Sequence, residues 1–360
     1  MLYVVIALCA LGGMYLFFRF YPPFGGRTLR SVKEKSPQFK DGKFVNQIPT
    51  SMDTSFADTV SILRDFMRKG TNRRPSKQLT PERLDVAAHT ANTQVTWFGH
   101  SAFLLQAKGK TILYDPMFGV SPSPFPALGS KRFSDQLPAL PEDLPHIDAV
   151  VVSHDHYDHL DYPSVLKLKD KTDMFFVPIG LGAHLRRWGV PAAHITELDW
   201  WQEASHHGIK FVCTPARHFS GRTLTDRFAT LWASWVIDTG SERLFFSGDS
   251  GYGPHYAQIG AKYGPFAMTF MECGQYDRRW ANIHMTPEQT VQAHLDLRGK
   301  RMVPMHWGAF VLALHAWTDP VNRALAASKK HNVQLVTPKI GERFSVSGPH
   351  YPIEKWWTKI

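Results

Sequence analysis

Four residues within six positions carry most of the chemistry open to this sequence: His154, His156, Asp158 and His159, in VVVSHDHYDHLD at 150–161. Imidazole and carboxylate are ligands for borderline divalent metals. In an extended segment alternate side chains share one side, which aligns His154 with His156, and the turn that follows swings Asp158 and His159 into the same space. Two adjacent metal ions can be served by that arrangement. The three cysteines, Cys9, Cys213 and Cys273, show no CxxC spacing, so a thiolate zinc site and a disulfide framework are both excluded.

A binuclear site needs further ligands at strand ends, where loops converge. His218 follows GIKFVCTPAR, Asp249 ends RLFFSGDSG and His306 ends KRMVPMHWG. Each is a polar residue closing an apolar strand, where burial without a partner is costly. The reading is therefore His154, His156 and His218 on one ion, Asp158, His159 and His306 on the other, and Asp249 bridging. Such a ligand set suits two Zn2+ best, with iron or manganese also compatible.

These residues need strands to hold them. After about Thr90 the chain alternates short β-branched and aromatic runs with Gly, Pro and Asp turns. Strands are expected near 94–98, 102–107, 111–115, 148–153, 174–178, 208–214, 229–238, 242–247, 266–272, 301–305 and 334–337. Helices are expected near 163–168, 181–188, 287–297 and 319–331. Two runs of strands, each followed by helices, predict an α/β fold, a four-layer αββα sandwich. Asp161, before Tyr162-Pro163, reads either as a helix N-cap or as a group orienting a ligand histidine. Asp115 in ILYDP is expected to support a ligand, and His100 to be structural.

Upstream lies a different kind of chain. From Met1 to Phe18 no charge occurs, and the run would span roughly 27 Å as a helix, enough to cross a bilayer core of about 30 Å. Arg19, Arg27, Arg30, Lys33 and Lys35 follow it, against Glu34 alone. An uncleaved anchor of a bacterial inner membrane is expected, with the catalytic body cytoplasmic. Residues 1–20 form the transmembrane anchor, 21–90 an N-terminal extension, 91–350 the hydrolase domain and 351–360 a C-terminal tail. Tyr21-Pro-Pro-Phe-Gly-Gly breaks the first helix, and the stretch to about Thr54 reads as an extended connector. Phe56, Val60, Leu63, Phe66 and Met67 predict an amphipathic helix over 55–69, stopped by Gly70. The basic run at 69–77 reads as a solvated loop. With 41 Lys+Arg against 31 Asp+Glu the formal charge is +10, which favours anionic partners such as phospholipid or nucleic acid.

TWFGHSAFLL at 96–105, ILYDPMF at 112–118, SHDHYDHLDYPSV at 153–165, FFSGDSGY at 245–252, YDRRW at 276–280 with His284 and Pro287-Glu288, and MHWGAF at 305–310 occur in the order of a known family. They resemble the metallo-β-lactamase superfamily and, within it, the N-acylphosphatidylethanolamine-hydrolysing phospholipase D family. FVNQIPT at 44–50 resembles that family's amino-terminal extension. The resemblance implies a metallo-β-lactamase-like fold and a zinc-dependent phosphodiesterase yielding phosphatidic acid and N-acylethanolamine. Two cations would generate hydroxide from water and clamp the phosphodiester. Asp249, Asp158 and His284 become the catalytic candidates, Tyr157 and His284 the substrate-binding ones. Phospholipid and membrane are the expected partners, nucleic acid is not, and oligomeric state stays open. The aromatic-rich 307–317 segment is a candidate wall for acyl chains. The same site would serve a nuclease, a small phosphodiesterase or a lactonase. A non-catalytic membrane scaffold is the remaining reading, disfavoured because a scaffold has no chemical need for seven ligands.

Overall fold

The computed structural model describes residues 2–51, 56–68, 72–86 and 92–360. Helix α1 (Leu2–Phe20) is long and apolar enough to cross a membrane, and none of its apolar span is buried against the rest of the chain. The connector expected after it is partly structured: α2 (Arg30–Lys33) precedes a small hairpin, β1 (Phe39–Lys40) and β2 (Lys43–Phe44), whose Phe44 is buried in the main core. Helix α3 (Phe56–Met67) follows. Its expected stop at Gly70, and residues 69–71 of the basic run, lie outside the described residues.

Strands β3 (Gln94–Trp97), β4 (Phe103–Ala107), β5 (Lys110–Tyr114), β6 (Ile147–Val151), β7 (Thr172–Pro178) and β8 (Ile195–Leu198) build the first sheet. The second contains β9 (Glu203–His206), β10 (Ile209–Thr214), β11 (Ser234–Asp238), β12 (Arg243–Phe246), β13 (Met268–Glu272), β14 (Arg301–Met305) and β15 (Gln334–Leu335). The chain then returns to the first sheet as β16 (Arg343–Ser345), giving the orders β16-β3-β4-β5-β6-β7-β8 and β15-β14-β13-β12-β11-β10-β9. In each sheet one half is antiparallel and the other, β5 to β8 or β12 to β15, is parallel.

Alternation along the strands fills three layers of core. Phe103 and Leu105 of β4 face the second sheet while Leu104 faces outward; Leu244 and Phe246 of β12 face the first sheet while Phe245 faces away. Between the sheets Phe103 meets Phe270 at 4.7 Å and Tyr114 stacks on Phe246 at 4.3 Å. Helices α4 (Tyr162–Leu168) and α5 (Gly182–Arg187) cover the outer face of the first sheet. The second is covered by α6 (His255–Tyr263), α7 (Pro287–Asp296) and α8 (Asp319–Lys330). This is the expected αββα sandwich.

Four details depart from expectation. Edge strands β8, β9 and β16 carry too little apolar signal to be read, since edges are half exposed. The strand expected at 229–238 begins only at Ser234, because Leu231 and Ala233 donate instead to the carbonyls of Ile179 and Ser153. Helix α6 hides behind Gly260, whose missing side chain lets Asp296 O approach to 2.1 Å of where a Cβ would sit. Finally, 351–360 is no free tail: Trp356 and Trp357 are buried in the core, and Trp356 Nε1 donates to Pro338 O at 3.0 Å.

Candidate metal centre

The seven expected metal ligands arrive at one end of the sandwich, at the C-terminal ends of its strands. Asp115 directly follows β5, His154 to His159 follow β6, Asp249 follows β12, Glu272 ends β13 and His306 directly follows β14. Asp115 and His306 leave their strands at φ 40° and 66°, turning out of the ladder where the two sheets meet. Gly248 is required beside Asp249, since a Cβ there would lie 2.7 Å from Ala233 O.

The seven residues chosen from sequence converge in two sets. His154 Nε2 lies 2.9 Å from His156 Nδ1, which is 3.2 Å from His218 Nε2, and Asp249 Oδ2 is 3.8 Å from both His154 Nε2 and His218 Nε2. In the second set His159 Nε2 and His306 Nε2 lie 3.4 and 3.3 Å from Asp158 Oδ2, and 3.1 and 3.2 Å from oxygens of Asp249. Donors around one tetrahedral zinc, at about 2.0–2.1 Å, stand about 3.3 Å apart. Asp249 belongs to both sets.

Charge and hydrogen bonding fit cations. His159 Nε2 and Asp249 Oδ1 are buried and make no hydrogen bond, although they face each other. Among the described residues no Lys or Arg pairs with Asp158, Asp249 or Glu272; their ion-pair partners are all imidazoles. Burial lowers the pKa of His154 and His218 far below the usual histidine range and leaves lone pairs free. Against the same burial, neighbouring imidazoles, His159 foremost, hold Asp249 and Asp158 well below the carboxylate range. His159 itself, among Asp249, Asp158 and Asp115, is driven up despite burial, because the surrounding carboxylates favour positive charge there.

Further groups orient the set. Asp115 accepts from Ser153 N at 2.7 Å and Ser153 Oγ at 2.6 Å and lies 2.7 Å from His159 Nδ1, the supporting position expected of it. Ser153 Oγ is also 2.9 Å from His154 Nδ1. His218 Nδ1 donates to Ile283 O at 3.0 Å. His100, expected to be structural, is 2.8 Å from Asp158 Oδ2 and so fixes that carboxylate. Asp161 is the N-cap of α4, accepting from Ser164 N at 3.0 Å.

Above this floor opens a cavity of 420 Å³, lined by His156, Asp158, His218, Asp249, His284 and His306 and rimmed by apolar residues that include Phe219, Trp280 and Ile283. Two rim residues, Ile62 and Phe66, come from α3. From 307–317 only Leu312 lines it; Trp307 and Trp317 belong to the core. Tyr157 points elsewhere: its hydroxyl donates to Arg222 O at 2.6 Å, and it lines a separate hollow with Tyr21 and Pro23.

Sequence reasoning missed Glu272 and Asn46. Glu272 closes the apolar strand MTFME, the very signal used for Asp249, and its Oε2 is 2.7 Å from His284 Nδ1. Asn46, from the FVNQIPT segment of the extension, bonds both backbone groups of His218; the motif marks the segment but not this contact.

The beta-lactamase superfamily domain matches residues 110–307. An uncharacterized protein of Mycobacterium tuberculosis is 42% identical over 336 residues, 92% of this chain and 90% of that one. N-acyl-phosphatidylethanolamine-hydrolyzing phospholipase D 1 of Caenorhabditis elegans is 33% identical over 227 residues, 60% of this chain and 64% of its own. Among solved structures, an isothiocyanate hydrolase from Delia radicum gut bacteria shares the fold with a TM-score of 0.57 at 21% identity, over 70% of this chain and 99% of that one.

Proposed function

Because the chain belongs to the metallo-β-lactamase superfamily, a family of metallohydrolases, we propose that it is a membrane-anchored phospholipase D that uses two zinc ions on N-acylphosphatidylethanolamine-type lipids. His154, His156 and His218 would hold one ion and Asp158, His159 and His306 the other, with Asp249 available to both. When bound, such ions supply a water-derived nucleophile at neutral pH and offset charge growing on the phosphoryl oxygens.

The protein's own groups do the rest. Asp115 and His100 keep His159 and Asp158 in place, so the donors need not reorganise during the reaction. His284 lines the cavity with Nδ1 committed to Glu272, which leaves Nε2 for the substrate. Burial opposes its charge, but Glu272, with Asp249 and Asp158, outweighs burial and raises its pKa. A protonated His284 donates Nε2–H to the departing alkoxide as the bond between phosphorus and the ethanolamine oxygen breaks.

One observation carries the lipid reading: the donor-lined floor lies under an apolar rim to which α3 contributes Ile62 and Phe66. A rim of this kind suits acyl chains, and the residues of α3 turned to solvent, Val60, Leu63 and Met67, suit a bilayer surface. The Caenorhabditis elegans relative gives the headgroup chemistry its starting point.

The test is mass-spectrometric product analysis of detergent-solubilised, zinc-loaded protein with N-acylphosphatidylethanolamine. Phosphatidic acid and N-acylethanolamine from the wild type, and neither from Asp249→Asn, are expected. A metal-replete wild type that forms neither product refutes the substrate.

A further inference from the structure

A second group of histidines gathers at the opposite end of the strands that carry the candidate metal centre, roughly 16 Å away along the five residues of β6. His146 precedes β6, Asp173 is the second residue of β7, and His206 and His207 stand at the turn between β9 and β10. The first two come from one sheet and the last two from the other.

Asp173 is the hub. Its Oδ1 lies 3.0 Å from His146 Nε2, while Oδ2 faces His207 Nε2 at 3.3 Å and His206 Nε2 at 3.9 Å. Neighbours on a strand point to opposite faces. Here His207 takes φ 49°, and the two imidazoles stand side by side with ring centroids 4.0 Å apart, aimed at the same oxygen. His194 Nδ1 donates to Asp173 O at 2.7 Å and steadies the β7 end. Nearby Asp148 is already engaged by Lys110 Nζ at 3.0 Å and Thr111 N at 2.8 Å.

His206 Nε2 is buried and makes no hydrogen bond. A satisfied surface histidine would have turned this nitrogen to water or to a donor. Two imidazole nitrogens and one carboxylate oxygen, all within 4.8 Å of one another, form a donor set for a borderline divalent metal and a poor one for Mg2+ or Ca2+.

We propose that Asp173, His206 and His207 form a separate binding site for a zinc-type divalent transition-metal ion, which clamps the two sheets together at the end remote from catalysis. His146 holds the second oxygen of Asp173 and thereby orients the first. The site opens to solvent, with the side chains of Asp173 and His207 34% and 39% exposed, so the ion enters without passing through the fold. The site is independent of the reaction proposed above.

The experiment counts zinc. Full-length protein is equilibrated in detergent with micromolar free Zn2+, and zinc per chain is measured by elemental mass spectrometry. Wild type, the double variant His206→Ala/His207→Ala and the isosteric Asp173→Asn are compared. Loss of one equivalent in both variants, with the remainder kept, is expected, as is a smaller zinc-induced rise in melting temperature than in the wild type. Asp173→Asn preserves shape, so it decides the matter should the double variant fold poorly. Equal zinc content in wild type and Asp173→Asn overturns the proposal.

Discussion

Asn46 grips His218 by both backbone groups: its Nδ2 donates to His218 O at 2.9 Å, and its Oδ1 accepts from His218 N at 3.0 Å. The N-terminal extension thus helps build the metal centre. Its Oδ1 also accepts from Trp232 Nε1 at 3.1 Å, which fixes the amide's orientation. Asn46→Ala leaves a buried backbone pair unmatched and frees the loop that presents His218. Supporting groups of this kind typically alter metal affinity by about 10–100-fold. The expected result is zinc loss at chelator concentrations the wild type resists, with far-UV circular dichroism unchanged. Unaltered zinc retention would show that the loop holds its shape alone.

Much of this centre is legible in the sequence because each donor closes an apolar strand. GDSG, MHWG and SHDHYDH all place polar groups where a buried strand must end, and a group there needs a partner. The same logic reaches Glu272 in MTFMECG. It does not reach Asn46, whose partner lies 172 residues on, or the wall residues Ile62 and Phe66, because no local period records a distant contact. The edge strands are silent for a related reason. ITEL, EASH and RFS are half solvated, so their residue types report exposure rather than pairing. Tyr157 shows the converse limit: within the histidine motif its side chain turns away to Arg222, although its neighbours in sequence face the cavity.

The Glu272–His284 pair allows the proposed proton transfer to be tested apart from metal binding. Glu272 Oε1 accepts from Met285 N at 2.8 Å, so the carboxylate is fixed and His284 Nδ1 is held against its other oxygen. His284→Ala is expected to lower turnover on the order of 10²–10⁴-fold, the usual range for a general acid, with zinc content unchanged. Leaving groups more acidic than an ethanolamine should suffer less, because they depart without a proton. Elemental analysis and turnover of activated diesters check both statements. Loss of zinc in this variant would place His284 among the ligands instead.

Helix α3 provides a test of the interface. Arg279 Nη1 docks it through Ser61 Oγ at 2.8 Å and Asp65 Oδ2 at 3.0 Å, and Ile62 and Phe66 face the cavity. Leu63 and Met67 are 59% and 78% exposed and stabilise little in the free protein. Buried in a lipid surface, each side chain would contribute up to about 1.5–3 kcal/mol. Leu63→Glu with Met67→Glu should therefore reduce turnover on vesicles by about tenfold or more. Hydrolysis of a monomeric short-chain diester and the melting temperature should stay as in the wild type. Equal losses on both substrates would mean that α3 acts on the cavity rather than on the membrane.

Stability should fall on the acid side, and one histidine remote from the cavity allows the sign to be checked. His294, on α7, is buried with Nδ1 2.7 Å from Thr269 Oγ1, and burial lowers its pKa to about 4. In the unfolded chain it titrates near 6.5. Between these values the unfolded state binds a proton that the folded state refuses, so stability is complete above about pH 7 and declines as pH drops toward 4. Each unit of difference corresponds to about 1.4 kcal/mol, which makes the contribution a few kcal/mol at most. Metal release also destabilises the protein in acid, so the informative quantity is the difference between wild type and His294→Gln. Urea unfolding of both from pH 7.5 to 5 should show a shallower decline for the variant. Parallel curves would mean that His294 takes up its proton without leaving the core.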